Sequence, residues 1–216
     1  MACGASEPPP RVPEAPASTT ERPALQVQSE LGSVDPEAVT RVFHELEDRF
    51  AKCQQAGLER VEVLAGRVKF FVRIAGDGAA RWVYLEDSEL GDRETEKCLI
   101  AAALGARWPK PDGGEAEARY SMDLPLQTTR PPSDWSSDKV TAVLAKNAGA
   151  LQACTGSSAS LRATMYVGPG GRVLAAGVAT GSKSDDAKAD CVTAVLAKLR
   201  GLPSPGSWPA KVSFTL

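Results

Sequence analysis

Two stretches of this chain follow one pattern: VTRVFHELEDRFAKC at residues 39–53 and VTAVLAKNAGALQAC at residues 140–154. Each opens with Val-Thr, carries apolar residues at helical spacing and closes with a cysteine. The offset between matching residues is 101 throughout. A repeat at a constant offset indicates that one structural unit occurs twice in the chain.

The similarity continues beyond both stretches. At an offset of 93, Cys98 aligns with Cys191, and at an offset of 92, residues 118–124 align with residues 210–216. Chance similarity would not keep the apolar positions and the cysteines in step over this length. We therefore interpret the chain as an internal duplication.

Each copy has a sequence pattern that predicts the order α-β-β-α-β. Asp35-Pro36 and Ser136-Ser137 are N-terminal signals for a first helix that runs to the first cysteine. Alternating apolar residues at 68–74 and 161–167 predict a strand, and glycine-containing turns lead each one into a second strand. A second helix and a final alternating strand complete each copy.

The predicted fold class is α+β, with two tandem α-β-β-α-β modules after a disordered N-terminal tether. The second helix returns the third strand alongside the first, so each sheet is expected to be three-stranded, antiparallel and ordered 2-1-3. Both helices of a module can then cover one face of its sheet. We place the Pro-rich tether at residues 1–32, module one at 33–124, a linker at 125–135 and module two at 136–216.

Four of the five cysteines are expected to form one disulfide within each module. Two helices on the same face of a sheet can bring their cysteines within bonding distance. The predicted pairs are Cys53 with Cys98 and Cys154 with Cys191. The alternative is four buried free thiols, as in many cytosolic proteins. Pairs at matching sites in both copies favour disulfides, and hence an oxidising compartment.

The N-terminal segment has the composition of a disordered tether. Five prolines lie within residues 8–16 among few aliphatic residues, so the segment cannot bury enough apolar surface to fold. Residues 2–4, Ala-Cys-Gly, resemble the end of a bacterial lipoprotein signal, in which a small residue precedes the lipidated cysteine. We predict Cys3 as the lipid-attachment residue, because the other four cysteines pair with one another. The alternative is an ordinary cysteine in a disordered segment.

Three runs resemble one bacterial domain family. They are L-x-G-x-V-x-F-x-V-x-I-x-x-x-G at residues 64–78, S-x-L-G-D-x-x-x-E-x-C at 88–98 and W-P-x-P-x-G-G at 108–114. With the order of elements, they resemble the AgmX/PglI C-terminal domain of gliding bacteria and, more distantly, the TonB C-terminal domain. The resemblance covers nearly all of module one. Module two keeps the cysteines but lacks the Trp-Pro pair.

The resemblance implies a periplasmic domain that binds other envelope proteins within a motility, transport or secretion complex. TonB-like domains accept a peptide strand on the open edge of their sheet. In a 2-1-3 order the open edges would be the second and third strands, so the backbone of residues 117–124 or 211–216 could template an added strand. The candidate edge residues are Arg119, Tyr120, Ser121, Met122, Lys211, Val212, Ser213 and Phe214. In the alternative, the two modules pair their edges with each other.

The two modules carry opposite net charges. Residues 33–124 contain 13 Lys+Arg and 18 Asp+Glu, a net of −5, whereas residues 125–216 contain 10 and 5, a net of +5. Complementary fields would dock the modules on each other, or each module would recruit a different partner. A third interpretation is that the charge difference arose by evolutionary drift of solvated surface residues and has no function.

The sequence indicates a non-enzymatic protein. His44, the single histidine, lies in mid-helix with no serine or cysteine patterned to it, and residues 168–171 predict a hairpin turn, not a phosphate-binding loop. No metal or other cofactor is expected, and a net charge of −2 disfavours nucleic-acid binding. We predict a periplasmic lipoprotein, anchored to the outer membrane through Cys3, that is an adaptor or structural component. The alternative is a hydrolase or another periplasmic protein that binds small ligands.

Overall fold

The structure is a computed structural model that describes Met1, residues 31–156 and residues 161–216, without the side chain of Ser184. Its helices are α1 (Pro36–Glu45), α2 (Glu47–Leu58), α3 (Arg93–Leu104), α4 (Asp138–Lys146), α5 (Ala148–Thr155) and α6 (Asp186–Leu196). Its strands are β1 (Gly66–Ile74), β2 (Ala80–Ser88), β3 (Ala116–Leu124), β4 (Ser133–Trp135), β5 (Arg162–Val167), β6 (Val173–Ala179) and β7 (Ala210–Thr215). A 3-10 turn, Lys183–Asp185, precedes α6. The fold class is α+β, as predicted.

The first half contains a three-stranded antiparallel sheet in the predicted order β2-β1-β3. Alternation along β1 turns Val68, Phe70 and Val72 into the core, where all three are fully buried. Asp35 caps α1 as predicted, because its carboxylate accepts a hydrogen bond from the Glu37 amide at 3.0 Å. The helices pack with α2 against α3 and with α1 against β3.

The single first helix predicted for each half is two helices in the structure. The break lies at Leu46 in the first half and at Asn147 in the second. These residues are 101 positions apart, the offset of the repeat, so the two halves share the break. It lets α1 lie along β3 while α2 packs on α3, which one straight helix could not do. The second of these helices, α2, continues to Leu58, so Cys53 lies inside it and not at the predicted helix end.

The sheet of the second half differs from the predicted three-stranded one. It has four strands in the order β4-β7-β5-β6, and β4 pairs with β7 in parallel. The extra strand comes from residues 133–135, within the segment predicted to be a linker. The rest of the sheet, β7-β5-β6, repeats the antiparallel order β3-β1-β2. Three residues are too few for alternation to reveal a strand in the sequence.

Both predicted disulfides are present. Cys53–Cys98 joins α2 to α3 with a Cα–Cα distance of 5.7 Å, and Cys154–Cys191 joins α5 to α6 with a distance of 5.4 Å. Cys53 is buried, whereas Cys98 and Cys191 are exposed. Each bridge therefore fastens two helices of one half at the surface of its core.

The two halves pack against each other through β5 and its neighbours. Ala163 and Met165 face the core of the second half, yet Thr164 and Tyr166, which point the opposite way, are equally buried. Tyr166 belongs to the core of the first half, and its hydroxyl donates a hydrogen bond to the Ala65 carbonyl at 3.2 Å. The sheet of the second half is therefore covered on both faces.

Two glycines permit this close contact. A Cβ atom at Gly91 would lie 2.9 Å from the side chain of Thr164, and one at Gly177 would collide with the carboxylate of Glu96. Both contacts join one half to the other. A side chain at either glycine would push the halves apart.

Candidate functional site

Strand β3 forms an open edge of the first sheet. The Arg67 carbonyl accepts a hydrogen bond from the Glu89 amide at 2.8 Å on the β2 side. Backbone groups of successive residues point to opposite sides of a strand, so the N–H and C=O groups of the even-numbered residues of β1 point towards β3. The even-numbered residues of β3 pair with them, and the odd-numbered residues turn their backbone groups away from the sheet. The residues whose backbone N–H and C=O groups point outward are Glu117, Arg119, Ser121 and Asp123.

None of the described residues donates to or accepts from these outward backbone groups. One end of the edge is marked by the hydrogen bond from the Gly32 amide to the Glu115 carbonyl at 2.7 Å. The other end is marked by the bond from Gln54 Nε2 to the Pro125 carbonyl at 2.8 Å. Residues 117–123 between these ends can template an added strand.

Two cavities flank Tyr120 on the helix-covered side of β3. One, of about 310 Å³, is lined in part by Phe43 and Met122. The other, of about 250 Å³, is lined in part by Val39 and Ala118. Tyr120 contributes to both and stacks on Phe43 with ring centroids 4.1 Å apart. A strand added to β3 would point alternate side chains towards these cavities, where Val39, Phe43 and Met122 offer apolar contacts.

The opposite face of β3 carries charged side chains. Arg119 donates to Glu86 of β2 at 2.8 Å, and its guanidinium lies 4.7 Å from the centroid of the Phe71 ring. Arg73 of β1 donates to Glu117 at 2.7 Å. These cross-strand pairs stabilise the sheet through side chains alone. They leave the outward backbone groups of β3 unused.

The edge predicted on the last strand is only partly open. β4 pairs with the start of β7 and occupies the edge at Lys211 and Val212, which corrects the prediction for these two residues. Lys211 also extends to the first half, where its Nζ donates to the Ala65 carbonyl at 2.7 Å. Ser213 and Phe214 lie beyond the end of β4.

The other two edges lie where the halves meet. The Val178 amide of β6 donates to the Glu96 carboxylate at 3.2 Å, so α3 of the first half closes that edge. Glu96 is fully buried and also accepts a hydrogen bond from the Ser88 hydroxyl at 2.6 Å. β2 lies beside β6, and Lys183 stands over the Trp82 ring at 4.9 Å. The contact between the halves therefore restricts access to both edges.

The main ion pairs across the interface run against the net charges of the halves. Arg93 of α3 contacts both Asp186 and Asp190 of α6, with its Nε 2.8 Å from Asp190. A longer and more exposed pair, Arg162 with Asp87 at 3.4 Å, follows the net charges. The halves do dock, as one interpretation of the charges proposed. Individual contacts, and not the overall fields, determine where the charges meet.

A polar cavity of about 360 Å³ lies at the same interface. Glu89, Asp134, Arg162 and Lys211 contribute to its lining. Burial lowers the pKa of Lys211, while Glu89 and Asp134 act to raise it. A polar cavity that contains a perturbed lysine is a feature of ligand-binding and catalytic sites.

Other predicted features lie elsewhere. Cys3, the predicted lipid-attachment residue, and residues 2–30 of the predicted tether lie outside the described residues. His44 is exposed on its helix, with Nδ1 at 2.5 Å from Glu47 Oε1. Within residues 31–156 and 161–216, no three His, Cys, Asp or Glu side chains are grouped so that they could hold a metal ion. Among the helices of these ranges, none has the length and apolar character needed to cross a membrane.

The sequence suggested docking through the opposite charges but did not locate the interface between the halves, although one signal for it was present. Residues 163–167 of β5 and residues 173–179 of β6 contain no charged residue. Uninterrupted uncharged runs of this length are typical of strands that are buried on both faces. Glu96 and Ser88 both belong to the run S-x-L-G-D-x-x-x-E-x-C at residues 88–98, but that run does not indicate that Glu96 is buried, because a glutamate in a helix is usually exposed.

Comparisons of this chain with protein-family models, with curated proteins and with solved structures found no match.

Proposed function

We propose that this protein is a non-enzymatic adaptor of the bacterial envelope that binds an extended segment of a partner protein along β3. The observation that carries this proposal is the row of outward backbone groups at residues 117–123, which lies beside two cavities lined in part by apolar side chains. Backbone hydrogen bonds would hold the partner strand, and the cavities would select its alternate side chains. Folded proteins usually obstruct such edges, so an unobstructed edge is a candidate binding surface.

The two halves are proposed to be tandem modules of the AgmX/PglI C-terminal and TonB-like type, each with helices covering one face of its sheet. The interface supports a duplication, because Arg93 contacts Asp186 and Lys97 contacts Asp190. Both pairs join residues 93 positions apart, the offset that aligns these helices. Equivalent residues meet where two copies touch about an approximate two-fold axis. Identical copies would place like charges there, whereas a fused chain can place opposite ones.

The proposed location is the periplasm, with the chain anchored to the outer membrane through a lipid on Cys3. The two disulfides support an oxidising compartment, because such bonds rarely persist in the cytosol. An adaptor there would serve a motility, transport or secretion complex, and a bracing role fits the same features. Metabolic labelling with an alkyne fatty acid should mark the wild-type chain and not Cys3→Ser. Equal labelling of both would contradict an anchor at Cys3.

Ser121→Pro tests strand addition on β3. Proline removes the outward amide of Ser121 but spares the pairing of Tyr120 and Met122 with β1. Ser121→Ala, which keeps the amide, is the control. Cross-linking and pull-down from the envelope of the producing bacterium should recover a partner with the wild type and Ser121→Ala, and about tenfold less with Ser121→Pro. Equal recovery with all three, each folded by circular dichroism, would refute strand addition.

A second candidate function is binding of a small polar molecule in the cavity at the interface. The lowered pKa of Lys211, caused by burial, favours this candidate. Native mass spectrometry of the purified protein tests it, with Lys211→Met as the variant that would release the molecule. Wild-type protein that carries no bound molecule and responds to none in a metabolite screen would count against it.

A further inference from the structure

A groove of about 740 Å³ lies in the second half between α4, α5 and the end of β7. Leu144, Leu151 and Phe214 supply apolar surface, and Thr141 and Gln152 add uncharged polar groups. The lining contains no charged side chain. An extended segment of a few residues fits a groove of this size.

The equivalent place in the first half is smaller and partly charged. The cavity there has a volume of about 310 Å³ and is lined by Phe43, whose counterpart in the second half is Leu144. Glu47 also lines it, and Ala148 stands at the matching position of the second half. The second half therefore carries smaller, uncharged side chains at these positions, and its groove is the larger of the two.

One wall of the groove is the part of β7 that β4 leaves open. Leu161 and Leu216 exchange backbone hydrogen bonds of 2.9 and 3.4 Å on the β5 side, so Ser213 and Thr215 turn their backbone groups outward. β4 ends opposite Val212, where the chain leaves the edge for α4. Among the described residues, none forms a hydrogen bond with the backbone of Thr215.

We propose that this groove binds a short extended segment of uncharged, apolar residues from a partner protein. The open strand edge favours an occupant that has a peptide backbone, and β4 demonstrates that this same edge accepts a strand. The neutral lining disfavours charged side chains, which would lose hydration without gaining a partner. The inference rests on the proposed adaptor function, to which it adds a second binding site of different chemistry.

Ala148→Glu tests the site, because it introduces the residue that the first half carries at the matching position. Ala148 is exposed in the first turn of α5, where a carboxylate stabilises a helix, so the variant should fold. Ala150→Glu, an exposed position of the same helix turn outside the groove, is the matched control. The probe is a phage-displayed library of random peptides, selected on the full-length chain and re-tested on each variant.

We expect selected peptides that are rich in uncharged, apolar residues and bind Ala148→Glu about tenfold more weakly than the wild type, a loss of about 1.4 kcal/mol. The same peptides should bind Ala150→Glu as they bind the wild type. A selection in which every peptide binds Ala148→Glu as tightly as the wild type would overturn the proposal.

Two further outcomes separate this site from others. Peptides that are lost only on Ser121→Pro would belong to β3, so a selection that yields these alone supports the adaptor function and overturns the second site. An apolar small molecule that co-purifies with the wild type and is absent from Ala148→Glu by native mass spectrometry would also overturn the proposal, since it identifies a different occupant.

Discussion

The two halves of the molecule differ most in what covers the side of the sheet away from their own helices. In the first half that side carries cross-strand ion pairs such as Arg119 with Glu86 and is half open to solvent. In the second half the corresponding side packs on the first half, and Thr164 and Tyr166 are almost completely buried. One chain path therefore yields a surface sheet in one half and an internal layer in the other.

This difference indicates how a repeated fold can divide its tasks. Docking covers the edge of β6, restricts access to β2 and leaves β3 at the far side of the first sheet. β4 closes part of β7. We infer that the second half supports the first, while the first half presents β3 to the partner.

Separating the halves should have the largest effect. A chain of residues 31–127 keeps its own core and disulfide, whereas residues 128–216 would expose Tyr166 and the uncharged strand β6 to water. We expect the first piece to unfold cooperatively on heating and the second to aggregate or remain unfolded, as judged by circular dichroism and NMR amide dispersion. A second piece that folds alone would contradict the dependence of its sheet on the first half.

Removing either disulfide should have the next largest effect. The bridges close loops of 45 and 37 residues, each worth about 4 kcal/mol in the chain-entropy model. Because docked halves should unfold together, Cys53→Ser/Cys98→Ser and Cys154→Ser/Cys191→Ser should each lower the same single urea transition. Two separate transitions in either variant would show that the halves unfold independently.

Arg93 should contribute more to docking than its neighbour Lys97. The Arg93 side chain is nearly buried and bonds two aspartates of the second half, so Arg93→Leu should lower the free energy of unfolding by about 2 kcal/mol. Lys97→Leu removes one exposed pair and should cost less than about 0.5 kcal/mol. Equal effects of the two variants in denaturant unfolding would refute this ranking of the interface contacts.

Glu96→Gln should have a small effect that depends on pH. Burial raises the pKa of the Glu96 carboxyl, although the hydrogen bond from Ser88 and the charge of Arg93 act to lower it. The folded protein therefore keeps the Glu96 proton to higher pH than the unfolded chain does. The contribution of the protonated carboxyl to the free energy of unfolding is lost as the pH rises through the raised pKa of the folded state.

The variant should match the wild type in thermal unfolding at about pH 4 and be more stable than the wild type at about pH 8. Ser88→Ala, which removes a donor and keeps the carboxyl, is a useful comparison because it should retain the pH dependence. Parallel pH profiles for the wild type and Glu96→Gln would contradict a raised pKa at this contact.

The order of elements, the 2-1-3 sheet and both disulfides were predictable because they leave local signals. Alternation marks β1, β3, β5 and β7, and the matching cysteines mark helices that lie side by side. The break at Leu46 leaves no such signal, because the residue stays in the right-handed helical region at φ −89° and ψ −8°. A kink of this kind depends on what each half of the helix packs against.

The proposed binding edge was only partly predictable. Tyr120 and Ser121 were identified as edge residues, but alternation cannot tell which of them turns its amide outward, since that depends on register across the sheet. Lys211 was wrongly predicted to lie on an open edge, because β4, which pairs with it in parallel, is too short to recognise in the sequence. Glu96 was missed because its environment is created by the other half of the chain.

Amide hydrogen exchange on the intact protein, resolved residue by residue by NMR, tests most directly the claim that β3 is open while β7 is partly closed. We predict fast exchange at Arg119 and Ser121, slow exchange at Tyr120 and Met122, and slow exchange at Lys211 under β4. Uniformly slow exchange along β3 would contradict the account, because it would mean that the proposed binding edge is already covered.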